Sequence, residues 1–311
     1  MNHSYKRSEF PNKNVQLNLS DISEVKDRLG GGAGVQRTKI IFKDHETGKV
    51  LGEYENKVVV TGSVLNAEKV FDVKPDITIP TYNSETELDN SVYDTEKANL
   101  PIVCLFAVGD NGCGATPKDV YVVNPSDRIE PGPKASEVTA ADFNSSMLMP
   151  FRWVPVDNPL SPDLRKYYYG QKTYHKFTDA AGVDKGERIA YYFKAFDTAP
   201  QLNLRYADGT IVTAANIYNY PSDQKLECFV EMRLRITRLD FRDYFEEVLG
   251  WDKARISTIS LLSAWYTETA DGDVTYKWYQ DVYPYTKLNF PYEWLVDSTK
   301  GIDIVYQVYY W

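Results

Sequence analysis

Alternation of apolar and polar residues in the C-terminal part of the chain gives the clearest structural signal. Between Leu226 and Ile236 every second residue is apolar: Leu226, Cys228, Val230, Met232, Leu234 and Ile236. A period of two places these side chains on one face and predicts a half-buried β-strand. Apolar runs at Ile256–Trp265 and Ile302–Trp311 predict further strands, and Phe241–Leu249, closed by Gly250, predicts a short helix.

The earlier part of the chain also reads as short strands separated by turns. The segments Thr38–Phe42 and Lys49–Tyr54 flank a turn-type segment that closes on Gly48, which predicts a hairpin. Leu100–Val108 is a continuous apolar run too short for a helix, so a buried strand is expected. The fold class predicted is therefore mainly β and β-sandwich-like with a few short helices, and α+β at the N-terminus.

Two further β segments lie in the middle of the chain. Arg188–Phe196 and Gln201–Tyr206 predict strands, and the Asp208-Gly209 pair predicts a hairpin turn into Thr210–Val212. Residues 124–145 are rich in Pro, Ser and Ala, which predicts a linker or a long surface loop.

These segments predict three consecutive regions. Residues 1–34 form an N-terminal arm with a short helix and a flexible joint, residues 35–90 a small hairpin-containing module, and residues 91–311 a β-rich main domain with an insertion around 125–225. The joint is the glycine-rich run of Gly30, Gly31, Gly32 and Gly34, because glycines end helices and leave the backbone free to bend.

Tyrosine is the unusual residue in the composition, with 24 of 311 positions. Tyrosine favours strands and is enriched at protein interfaces. Clustered rings have three interpretations: burial of alternate rings in the core, subunit contact, or a platform for sugars. The candidate interface residues are Tyr167, Tyr168, Tyr169, Trp278, Tyr283, Tyr285, Tyr309, Tyr310 and Trp311.

Charge and hydropathy narrow the classes of partner. A net charge of −9 provides no excess of Lys and Arg to neutralise phosphates, which argues against direct nucleic-acid binding. No window approaches the ~18 apolar residues of a membrane span, and the N-terminal residues lack the apolar stretch of a signal peptide. The sequence thus predicts a protein made in a cytoplasm, with no membrane partner.

Residues suited to catalysis are scarce. The chain has three histidines, His3, His45 and His175, and its cysteines show neither a C-x-x-C motif nor another zinc-ligand spacing. A nucleophilic pair of Cys113 and His175 stays open, because such pairs meet only in the fold. We predict no catalytic residue, no cofactor and no metal.

Two local alternatives also stay open at this level. Cys104 and Cys113 could form one disulfide, although free thiols in a reducing compartment are the simpler interpretation. Asp110-Asn-Gly112 could begin a calcium loop, but the later acidic ligands of such a loop are missing, which favours a tight turn.

The order of segments in residues 95–311 resembles virion proteins of tailed bacteriophages, in particular the baseplate wedge subunits of contractile tails. The segments that carry this resemblance are Leu100–Val103, Pro150–Arg152, Leu164–Gly170, Met232–Ile236, Asp243–Leu249, Arg255–Ser260, Tyr283-Pro284 and the closing strand.

The resemblance implies a β-rich protein without a catalytic site that dimerises and bridges neighbouring wedge proteins. We therefore expect a virion structural subunit whose partners are other tail or baseplate proteins and further copies of itself. A position in the neck or collar is one alternative. A carbohydrate-binding or adhesin module and a hydrolase with two carboxylates are the others.

Overall fold

The computed structural model describes most of the chain after its first 36 residues. The described residues are 37–44, 47–55, 57–58, 80–82, 90–92, 101–116, 119–125, 129–206, 208–210, 226–237, 239–271, 274–295 and 301–310. The predicted arm and the joint of Gly30, Gly31, Gly32 and Gly34 lie outside these residues.

Strands dominate the described residues. They are β1 Arg37–Asp44, β2 Val50–Glu55, β3 Lys57–Val58, β4 Pro80–Tyr82, β5 Asn90–Val92, β6 Ile102–Gly109, β7 Cys113–Thr116, β8 Asp119–Val122, β9 Glu137–Thr139, β10 Leu148–Met149, β11 Arg152–Pro155, β12 Tyr168–Tyr174, β13 Lys176–Thr178, β14 Arg188–Ala195, β15 Gln201–Tyr206, β16 Leu226–Ile236, β17 Arg255–Asp271, β18 Val274–Trp294 and β19 Ile302–Tyr310.

The helical segments among the described residues are short. They are helix α1 Pro162–Arg165, helix α2 Arg242–Tyr244, which continues as a π-helical turn over Phe245–Leu249, and 3-10 turns at Ala140–Asp142 and Trp251–Lys253. The predicted fold class, mainly β and sandwich-like with a few short helices, is confirmed. The predicted N-terminal α+β part lies outside the described residues.

Contacts divide the chain into two compact units built from non-consecutive segments. Of the described residues, unit 1 holds those within Lys57–Phe196 and Ile236–Gly301, and unit 2 holds the remainder. The units therefore interleave along the chain, whereas the sequence predicts consecutive regions at 1–34, 35–90 and 91–311.

Unit 1 is organised by a ten-stranded sheet. Its main path runs in the order β11-β14-β6-β17-β18-β4-β5, with β10, β12 and β3 pairing beside it. The predicted strand at Leu100–Val108 is confirmed as β6, which is buried from Cys104 to Gly109 because β14 and β17 flank it. A strand in the middle of a sheet that is covered on both faces needs apolar side chains on both, which explains the continuous apolar run.

The longest element of unit 1 is the β17–β18 hairpin. The apolar run at Ile256–Trp265 predicts one part of it, whereas the two strands cover 17 and 21 residues. Register shifts interrupt the pairing at three places, which is how strands of this length bend with the sheet. At one of them Asp281 adopts a positive φ of 46°.

An aromatic core fills the other part of unit 1. The Trp153 ring lies 5.5 Å from the Phe143 ring and 5.0 Å from the Phe177 ring, both in edge-to-face geometry. Phe143 and Val138 are buried, and β9 pairs in parallel with β13. Most described residues of the predicted loop at 124–145 are exposed, and most lie outside strands, but Ile129, Val138 and Phe143 anchor it in the core. These apolar positions are spaced too irregularly to give a periodic signal.

Unit 2 contains a five-stranded sheet in the order β15-β16-β19-β1-β2. The predicted hairpin is confirmed as β1 and β2, and the predicted closing strand as β19, which pairs with β1 along its whole length. The alternation in β16 is also confirmed where side chains are described, since Met232, Leu234 and Ile236 are buried and Arg233 is exposed. The Asp208-Gly209 turn closes with a bond from the Tyr206 N–H to the Thr210 carbonyl.

Candidate interaction surface

Four of the candidate interface residues belong to the core of unit 1. Tyr168, Tyr169, Tyr283 and Tyr285 are buried, so their rings are not available on the surface of this chain. Each lies in a strand whose two faces are both covered, and sequence periodicity does not distinguish such a strand from a half-exposed one.

The remaining candidates divide into two groups. Tyr167 and Trp278 are half-buried and keep part of their area on the surface. The Trp278 ring lies under the Arg165 guanidinium, 5.2 Å from the ring centroid. The side chains of Tyr309 and Tyr310, and all of Trp311, lie outside the described part of the structure, so their predicted role stays a prediction.

The structure shows an exposed apolar surface that the sequence does not single out, on the two-stranded sheet of β7 and β8. Four consecutive residues, Val120, Tyr121, Val122 and Val123, are 39–47% exposed, and Trp294 at the end of β18 is 52% exposed. We call these five residues together with Tyr292 the β8 surface. Exposed apolar residues are common singly, whereas a contiguous group on one small sheet indicates a contact site.

An ion pair beneath the β8 surface holds its aromatic part in place. The Arg255 Nε lies 3.1 Å from both carboxylate oxygens of Asp110. The guanidinium covers the Tyr292 ring at 3.8 Å from its centroid and the Trp294 ring at 5.5 Å. Burial raises the pKa of the Asp110 carboxyl, and the hydrogen bond from Arg255 opposes that rise. Arg255 thus pairs with Asp110 and stacks on the rings of Tyr292 and Trp294, which restricts where these rings can lie.

The connection from β6 to β7 fixes the small sheet on unit 1. The Gly112 N–H donates to the Ser257 hydroxyl at 2.8 Å, and a Cβ on Gly112 would lie only 1.7 Å from the Ser257 carbonyl oxygen. The Asn289 amide donates to the Val123 carbonyl at 2.8 Å, which ties the end of β8 to β18. Only glycine permits this close approach.

These contacts support the tight-turn interpretation of Asp110-Asn-Gly112. Asp110 is engaged by Arg255, and the Asn111 side chain donates to the Ser146 carbonyl at 2.9 Å. Across the described residues, no group of His, Cys, Asp and Glu side chains is arranged to hold a metal ion.

A second polar cluster lies deep in unit 1. The Asp240 carboxylate, fully buried, accepts bonds from Lys194 Nζ at 2.7 Å, the Tyr168 hydroxyl at 2.8 Å, and the backbone N–H and hydroxyl of Thr237 at 2.6 and 3.0 Å. This arrangement ties the segment from Thr237 to Asp240 to β12 and β14. A carboxylate that accepts bonds from this many donors serves as a structural anchor.

The thiols and the one described histidine are poorly suited to nucleophilic chemistry. Cys104 and Cys113 are free and buried, so the disulfide alternative does not hold here. The Cys113 thiol donates to the Phe290 carbonyl, and burial raises its pKa to about 11. His175 is exposed, with its Nδ1 3.8 Å from a Glu187 carboxylate oxygen.

Comparison with known proteins adds no relative: no family model, curated protein sequence or solved structure matches this chain. None of the helices in the described ranges is long and apolar enough to cross a membrane. The β8 surface was missed because Asp119–Val122 has the β-branched composition of a buried strand. Only its place at the edge of a two-stranded sheet exposes it.

Proposed function

We propose that this chain is a structural subunit of a tailed-phage virion, placed in the baseplate wedge of the tail, and that it contacts a neighbouring subunit through the β8 surface. The observation that carries the contact is the exposed group of Val, Tyr and Trp side chains on a rigid base. Trp, Tyr and Arg are the residues that dominate binding energy at protein interfaces.

The structural roles of the two ion pairs support an assembly function. The Asp110–Arg255 pair lies against Tyr292 and Trp294 of the β8 surface, and Asp240 joins Lys194 on β14 and Tyr168 on β12 in the core. Each cluster thus has a structural task in the described residues. The raised pKa of Cys113 also disfavours the thiolate that a nucleophilic cysteine needs.

The virion assignment itself comes from the resemblance of residues 95–311 to baseplate wedge subunits. A mainly β chain with short helices fits such a subunit, and the neck or collar stays the alternative position. In each of these places the protein would act by geometry, with rigid sheets presenting contact surfaces to its neighbours.

Mass spectrometry of purified phage particles tests this proposal. The chain should be present at a fixed copy number per particle. In cells where the variant is the only source of the protein, Trp294→Asp should reduce incorporation at least tenfold, because it places a charge in an apolar contact. Val183→Asp is the matched control, since Val183 is 51% exposed elsewhere on unit 1. Particles that lack the chain would rule out the virion role.

Carbohydrate binding is the second candidate, and the exposed Trp294 beside Tyr292 favours it, because aromatic rings stack on sugars. A glycan array separates the two proposals. Glycan binding that is lost on Trp294→Ala and unaffected by changes in β8 would favour the adhesin function. Absence of binding to every glycan would leave the subunit contact as the function of these rings.

A further inference from the structure

The hydrogen-bond register of the small sheet determines which backbone N–H and C=O groups of β8 point away from β7. The Val123 N–H donates to the Gly112 carbonyl at 2.8 Å, and Val122 lies opposite Cys113. Opposite residues in an antiparallel pair alternate between bonded and non-bonded. Tyr121 is therefore bonded to Gly114, whereas the N–H and C=O groups of Val120 and Val122 point away from β7.

A contact on β7 agrees with this register. Cys113 lies in the non-bonded pair with Val122, so its carbonyl should also point away from the partner strand. That carbonyl accepts a bond from the Tyr292 hydroxyl at 2.8 Å. The β7 edge of the sheet is thus bonded to β18 at Cys113, whereas the N–H and C=O groups of Val120 and Val122 on the β8 edge point away from β7.

The outer edge of β8 is open among the described strands. β8 pairs with β7 alone in this part of the structure. Soluble proteins protect such edges with Lys, Pro, bulges or very short apolar content. β8 has only Asp119 at its start, followed by three apolar residues that are each at least 40% exposed.

The open edge of β8, together with its exposed side chains, selects the kind of occupant. Val120–Val123 and Trp294 are 39–52% exposed, which is enough apolar area for either a folded partner or an extended segment. The outward N–H and C=O groups of Val120 and Val122 favour the extended segment, because it gains affinity from main-chain hydrogen bonds in addition to side-chain area.

We propose that the outer edge of β8 binds an extended apolar segment of a neighbouring subunit by strand addition. The partner strand exchanges hydrogen bonds with the N–H and C=O groups of Val120 and Val122. This inference names the mode of contact in the proposed assembly role and rests on that role for the source of the segment.

Side chains around β8 set the chemistry of the segment. Tyr121 lies over Gly114, where even a Cβ would come within 2.3 Å of the ring, so the ring is held flat against the sheet. Burial raises the pKa of Tyr292, and the Arg255 guanidinium over its ring opposes that rise. Because Asp110 neutralises Arg255, the segment should be uncharged opposite the rings, with β-branched or aromatic side chains.

A synthetic strand tests the proposal with the full chain. The probe is acetyl-Lys-Thr-Val-Thr-Val-Thr-Lys-amide, and its binding is followed by hydrogen exchange of the backbone amides, read by mass spectrometry. We expect saturable protection of residues 119–123 at sub-millimolar to millimolar probe. A second probe with N-methyl groups on all five residues between the lysines lacks the strand N–H donors on both of its edges and should bind at least tenfold more weakly.

Two variants locate the site. Val122→Pro removes the outward N–H without removing a bond to β7, and should weaken binding about tenfold. Val122→Thr keeps that N–H and should bind within about twofold of the original chain. Urea unfolding checks that both variants fold, and the N-methylated probe tests the edge bonds without any substitution.

Three outcomes would overturn the proposal. The first is no protection of residues 119–123 at millimolar probe, and the second is equal binding of the N-methylated probe. The third is concentration-dependent dimerisation that protects β8 without any probe, because a second copy would then be the occupant. Failure of the chain to appear in particles would instead refute the virion role and leave strand addition in place.

Discussion

The buried ion pair between Lys194 and Asp240 gives the most quantitative test of the fold. Replacing Asp240 with Ala removes the anion that lies 2.7 Å from the Lys194 ammonium, in a place where the two side chains are 0% and 3% exposed. It also removes the acceptor for Tyr168 and Thr237. The substitution therefore leaves a buried cation without its carboxylate.

The expected loss in the free energy of unfolding depends on which buried group each substitution leaves without its partner. Asp240→Ala should lower the free energy of unfolding by about 3–5 kcal/mol, which is typical when one member of a buried pair is removed. Lys194→Met should cost about 1–2 kcal/mol, because Asp240 keeps the donors from Tyr168 and Thr237. The double variant should cost less than the sum of the two, with a coupling of about 2 kcal/mol.

Urea unfolding followed by tryptophan fluorescence measures these values in unit 1, because every tryptophan except Trp311 belongs to that unit. Arg242→Ala is the control: Arg242 forms a 3.0 Å pair with Asp243 but is 48% exposed, so its loss should cost about 0–1 kcal/mol. Costs for Asp240→Ala and Lys194→Met that add within about 0.5 kcal/mol would refute the reasoning.

Three further predictions concern steric fit, thiol reactivity and pH. Gly132→Ala should lower the free energy of unfolding in urea by about 2–4 kcal/mol, because Gly132 has a φ of +67° and its added Cβ would collide with two buried tyrosine hydroxyls. Gly182→Ala is the control: Gly182 has a φ of +80° but lies in open space, so the loss should be only about 1 kcal/mol. Cys113, with a pKa of about 11, should react with iodoacetamide at pH 8 about 100-fold more slowly in the folded chain than in urea, and equal rates would contradict its burial. Burial and the nearby Asp240 carboxylate raise the pKa of Tyr168 in the folded chain. The contribution of Tyr168 to the free energy of unfolding should therefore be fully present below pH ~10, the pKa of tyrosine in the unfolded chain, and should be lost as the pH rises above that value. Tyr168→Phe should reduce the fall in stability with pH, and an unchanged slope would contradict the prediction.

The sequence predicts most of the longer strands because their signals are local. The alternation in β16 and the apolar run in β6 reflect which faces are covered, and each can be read within about ten residues. The hairpin of β1 and β2 follows from a turn segment that ends on Gly48, where φ is +67°.

The interaction surface could not be predicted because it depends on distant partners. Arg255 and Asp110 are 145 residues apart, and only the pairing of β17 with β6 brings them together. Exposure of β8 likewise depends on its pairing, among the described strands, with β7 alone, and no residue in β8 encodes that. For the same reason the tyrosine clusters do not show which of their rings are buried: Tyr283 and Tyr285 lie in a part of β18 that is covered on both faces.

The most direct test of the account compares hydrogen exchange of this chain in isolation and inside purified phage particles. If the chain is a virion subunit that is contacted at β8, amides of residues 119–123 should exchange at least tenfold more slowly in the particle. The exposed turn around Val183 should exchange at the same rate in both. Equal rates at residues 119–123 in the particle and in the isolated chain would contradict the proposed contact.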